Sequence, residues 1–208
     1  VSKNHRENAP DWSRQYTQAV LFHSLPFALL VLQMAIYGRI DGFLLNRMLP
    51  ANSDETGVYA SGFRLLDAAT QFGYLAATLL LPLFSKAIKE KPNIRPLTNL
   101  SALLLIAGST FLALFVLQFK TEIVSILYHT NDMRYSNVLT ILMFAFIPIA
   151  SNYVFGTLLT ANGNLKILNG IAFIGIIINV LLNLWLIPKF GALGAAFATL
   201  STQSAVAI

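Results

Sequence analysis

Apolar and polar residues are sorted along this chain into long blocks rather than into a fine alternation. Runs 20–37, 68–84, 100–117, 138–159, 167–187 and 191–208 are almost wholly apolar, and the segments between them hold most of the charge. An α-helix rises about 1.5 Å per residue, so a hydrocarbon core of roughly 30 Å takes about 20 mainly apolar residues. The first five runs fit that length, and the sixth reaches the end of the chain. Stretches such as LLLIAG and IGIIINVLLNLWLI lack the two-residue period that strands of a membrane β-barrel carry. Helices apolar nearly all round satisfy their backbone internally and face lipid. The expected fold is all-α: a polytopic six-helix transmembrane bundle with segments at about 20–49, 64–84, 100–118, 138–159, 167–187 and 191–208, preceded by a polar cytoplasmic loop over 1–19.

Composition agrees. Mean hydropathy is +0.65 and charged residues make up 11% of the chain, against about 25% in soluble domains. The absence of cysteine excludes disulfides, thiolate metal sites and cysteine nucleophiles. The first 19 residues are polar, so no cleavable signal peptide is visible. A first residue Val1 and an apolar run up to Ile208 are the expected marks of a piece of a longer protein.

If every segment crosses, the loops alternate between two sides. One side carries Lys3, Arg6, Arg14, Lys86, Lys89, Lys91, Arg95 and Lys166, and the other Arg47, Arg64, Lys120, Arg134 and Lys189. The compact basic run 85–96 places the first side, with the N-terminus, in the cytoplasm. A pI near 9.6 then reflects anchoring at anionic lipid headgroups, not nucleic acid.

Polar groups inside the apolar runs are the candidate chemistry. Arg64, Asp67, Gln71, Tyr74 and Thr78 fall within an arc of about 80° on one helix. That stripe is expected to turn toward other helices or a water-filled cavity, with Leu65, Leu66 and Phe72 toward lipid. An Arg64–Asp67 pair near the interface is the plainer alternative. Arg39 and Asp41 point to nearly opposite faces and need separate partners, for which the sequence offers Asp67 and Arg64 respectively. Asn169, Asn179 and Asn183 share another arc of about 80°, suited to interhelical hydrogen bonds or to a solute. Pro148 lies mid-segment, where it removes a backbone hydrogen bond and is expected to kink the helix. His5, His23 and His129 are scattered, and no metalloprotease, hydrolase or phosphate-loop motif occurs, so no catalytic or metal site is expected.

The block YGRIDGFLLNRMLP, with TGVYASGFRLLDAATQFGYLAATLLLPLFSK, resembles the seventh and eighth helices of polysaccharide-lipid flippases, the Wzx-type O-antigen and exopolysaccharide translocases of the multidrug/oligosaccharidyl-lipid/polysaccharide exporter superfamily. NVLLNLWLIPKFGALGAAFAT is similar to that family's end of helix eleven and start of helix twelve, and the likeness extends from about Ser24 to Thr202. The resemblance implies the C-terminal half of a transporter of 12 to 14 helices in two bundles, which carries lipid-linked oligosaccharide across the bacterial cytoplasmic membrane by alternating access. It implies no cofactor beyond coupling to a proton or sodium gradient. Its implied partners are the lipid-linked glycan, membrane lipids and the N-terminal bundle, with room for a glycan polymerase. Arg39, Arg64, Gln71, Tyr74, Asn179 and Asn183 would then line the substrate cavity, the arginines meeting pyrophosphate, and Asp41 or Asp67 would couple to the ion. A drug/cation antiporter, a lipid II flippase and a membrane-bound glycan assembly enzyme are the alternatives.

Overall fold

The computed structural model describes residues 14–50, 52–90 and 93–207. Six helices follow one another: α1 (Arg14–Met48), α2 (Glu55–Glu90), α3 (Arg95–Tyr128), α4 (Met133–Ala161), α5 (Leu165–Phe190) and α6 (Ala192–Val206). Residues 1–13 of the expected N-terminal loop lie outside the described residues, and from Arg14 onward that loop is already helix. α2, α3, α4 and α5 also overrun their apolar runs. α2 has 36 residues, about 54 Å at 1.5 Å each, because polar flanks such as Ser85–Glu90 continue the helix beyond the hydrocarbon. Five helices are long and apolar enough to span a membrane. α6, with 15 described residues, falls short of the sixth span expected over 191–208.

Side-chain pairs fix the directions. Gln33 and Asn169 tie α1 to α5 near one end, and Asp41 meets Asn183 further along both, so these helices run parallel. Glu55 with Ala192, then Tyr59 with Thr199, show α2 and α6 parallel as well. Ser136 bonds Lys120 across antiparallel α3 and α4. α4 is the central helix, packed by α2, α3 and α6, while α5 lies against α1 and α6. Its Val138, Leu139, Leu142, Met143 and Phe146 are buried in the main apolar core.

Local sequence explains most boundaries. Asp132 caps α4, its Oδ1 accepting the Arg134 backbone N–H at 2.8 Å, as short acidic side chains do at helix starts. Pro96 sits in the first turn of α3, where its missing N–H costs nothing. Gly191 alone links α5 to α6 at φ +56°, a backbone that L side chains adopt rarely. α5 was expected to stop at residue 187, yet it runs through Pro188 to Phe190. α4 continues as one helix through Pro148. In α3 the backbone leaves helical geometry at Phe119 (φ −111°, ψ 22°).

Candidate functional site

An aspartate within a spanning helix demands partners, because an ionised group away from water is costly unless it is hydrogen-bonded. Asp41 on α1 is 3% exposed and collects partners from three other helices. Tyr59 Oη on α2 donates to Oδ2 at 2.7 Å. Thr199 Oγ1 on α6 donates to the same oxygen at 2.7 Å. Asn183 Nδ2 on α5 donates to Oδ1 at 2.6 Å and to Asn179 Oδ1 at 3.0 Å. Tyr59 Oη and Thr199 Oγ1 are themselves 3.2 Å apart. Asn179, Asn183 and Thr199 are as buried as the apolar core. Every group around this carboxylate is neutral, since the ion pairs among the described residues are Lys86–Glu90, Arg134–Glu55 and Arg134–Asp132.

The partners expected for the two charges of α1 are therefore corrected. Asp41 does not pair with Arg64; hydroxyls and an amide satisfy it. Arg39, two residues away, stands on the exposed side of α1, and no Arg39–Asp67 or Arg64–Asp67 ion pair occurs among the described residues.

Asp41 also borders a half-open cavity of about 420 Å³ lined by α1, α2, α4, α5 and α6. Gln33, Tyr37, Asp67, Thr70, Asn152 and Gln203 contribute its polar wall, and Leu30, Met34, Phe63 and Ile149 part of its apolar one. Of the candidate residues, Asp41 and Asp67 reach this cavity. Asn179 and Asn183 sit behind Asp41, away from the cavity wall. Asn169 acts as interhelical glue, donating through Nδ2 to the Pro26 carbonyl at 3.0 Å.

Arg64, Asp67, Gln71, Tyr74 and Thr78 are exposed along one side of α2. Leu66, expected toward lipid, is buried instead, while Phe72 is exposed as expected and Asp67 of the stripe borders the cavity. Leu66, Ala69 and Gly73 form the buried side of α2, because small and apolar residues pack tightly against α4 while the long polar ones cannot.

The oxygens around Asp41 form a hard donor set. Two carboxylate oxygens, the Asn179 Oδ1, two hydroxyls and the Asn183 Oδ1, which has no hydrogen-bond partner, suit a proton or a small hard cation rather than a soft transition metal. Among the described residues no cluster of His, Cys, Asp and Glu forms a metal centre. Tyr59 and Thr199 were not legible as site residues, since hydroxyls are scattered through the chain and occur in every apolar run but 167–187, and the helix register alone selects these two.

Long apolar helices packed around a buried carboxylate define a multi-pass α-helical membrane protein. An uncharacterized membrane protein of Methanocaldococcus jannaschii is 28% identical over 172 residues, covering 79% of this chain and 32% of the relative. The chain thus spans about a third of that relative's length. No family profile matches the sequence, and no solved structure matches it.

Proposed function

We propose that this chain is one bundle of an ion-coupled, alternating-access flippase that moves lipid-linked oligosaccharide across the bacterial cytoplasmic membrane for polysaccharide and lipopolysaccharide assembly. The observation that carries the coupling is Asp41: a buried carboxylate, ringed by neutral oxygens and amides, at the edge of a cavity. Such a group changes its charge when a proton or sodium ion arrives, and the four helices that meet on it respond together. The exposed Arg39 and the Arg64 stripe then face a substrate cavity shared with a second bundle, where guanidinium forks suit pyrophosphate. Asp67, open at the cavity rim, is the secondary candidate for coupling.

The test uses the full-length protein, in cells for surface glycan and in proteoliposomes for gradient-driven transport. Asp41→Asn is expected to abolish gradient-driven transport with insertion intact. Arg39→Ala and Arg64→Ala should each abolish surface glycan, Lys89→Ala should be nearly silent, and lysine at Arg39 should rescue only in part. Wild-type export by Asp41→Asn and by both arginine variants would sink the reading.

A further inference from the structure

The geometry points to Glu55 as a positioning residue for the Asp41 cluster, acting from the end of the bundle through α6; this rests on reading Asp41 as the coupling group. α6 begins directly after Gly191 with no side-chain cap of its own. Its first free N–H is taken instead by another helix: Ala192 N donates to Glu55 Oε2 at 2.7 Å. A carboxylate at that point satisfies an otherwise orphaned donor and complements the helix dipole. Glu55 Oε1 is held in turn by Arg134 Nη1 at 2.9 Å, and the same guanidinium grips Asp132. The start of α2, the start of α4 and the α5–α6 turn are thereby joined at one end. Gly191 leaves just enough room, for a side chain there would collide with the Glu55 carboxylate.

Helical spacing carries this contact to Asp41. Tyr59 lies one turn after Glu55 on the same side of α2, and Thr199 lies two turns after Ala192 on the same side of α6. Those two residues meet each other and Asp41. Glu55–Ala192 and Tyr59–Thr199 are therefore successive rungs between two parallel helices, and the outer rung fixes the axial position of α6 on which the inner one depends. The fully buried side chains of α6 are small, among them Ala192, Ala195, Ala196 and Ala198, with Leu193 partly buried against the core and Gln203 accepting from Asn152 further along.

The hydrogen bonding of Asp41 can be read directly, in full-length protein, as the infrared carboxyl band that Asp41→Asn removes. Thr199→Val calibrates the shift caused by losing one donor. Glu55→Ala is expected to reproduce that shift, while Glu55→Gln, which keeps an acceptor for Ala192 N, stays near the wild-type position. Glu55→Asp keeps the charge for Arg134 but shortens the reach; it should shift the band as well, and decides the matter if the alanine variant does not insert. A band unmoved in Glu55→Ala, or in Glu55→Asp where alanine fails, overturns the inference even if stability drops, because Glu55 is then only a cap. Failure of the flippase reading shows separately, as undiminished transport by Asp41→Asn.

Discussion

Asp132 is bound twice by one neighbour: its Oδ1 takes the Arg134 backbone N–H and its Oδ2 the guanidinium, at 2.7 Å from Nη2. The Arg134 side chain holds this carboxyl below the usual carboxylate range. A depressed folded value means that the contribution of Asp132 is complete above the unfolded value of about 3.9 and is lost as pH falls through the folded one. Asp132→Ala should therefore melt below wild type at pH 7, the gap closing in strong acid; a gap independent of pH would show that the charge is irrelevant. Asp41 was legible in the sequence for a different reason. An ionisable residue inside an apolar run is costly enough to announce itself, whereas Tyr59, Thr199 and Glu55 gain their meaning only from the helices placed opposite them. Arg39 and Arg64 were equally visible, but visibility did not reveal which carboxylate, if any, each would meet.

Among the helices, α2 shows what a periodic pattern can and cannot establish. The polar stripe stands together on one exposed side, but the apolar side opposite it divides, with Leu66 buried and Phe72 and Leu83 exposed, because a pattern of period 3.6 does not say which of its apolar residues a neighbour will cover. The deciding residues are small. A Cβ on Gly62 would lie 3.2 Å from the Leu139 Cα and N, backbone atoms of α4 that cannot withdraw without moving the helix. Gly62→Ala should lower the thermal midpoint in detergent, with overpacking of about 1–3 kcal/mol outweighing the gain of about 0.5–1 kcal/mol from replacing a helical glycine. Gly108→Ala on α3, with open space around it, should be neutral or stabilising. Equal midpoints for the two variants would mean that close α2–α4 packing is absent. The break at Phe119 had no sequence signal, since neither proline nor glycine marks it.

For the molecule as a whole, block lengths in the sequence were enough to read an all-helical membrane protein, since the need for internally paired backbone leaves few alternatives in lipid. The packing order, with α4 at the centre, was not legible, because apolar helices look alike from every side. The ends of α2, α4 and α6 that gather around Glu55 are proposed to face outward, with the basic run between α2 and α3 in the cytoplasm. Cysteines introduced at Ser85 and Asn93 should then react only with reagent admitted to the cytoplasm, and one at Ser53 only from outside. Labelling of Ser85 in intact cells by an impermeant reagent would reverse the orientation.

The neutral surroundings of Asp41 have an electrical consequence. A carboxylate compensated by a neighbouring arginine would alternate between partners with little net movement of charge. Asp41 has hydroxyls and an amide in that place among the described residues, so in the proposed cycle the proton or sodium ion that neutralises it carries its charge with it. Under the proposed cycle the cluster itself contributes one elementary charge per turnover, a coupling of about 2.3 kcal/mol for every 100 mV of membrane potential. Voltage alone, without any concentration gradient of the ion, would then be enough to drive the bundle in one direction.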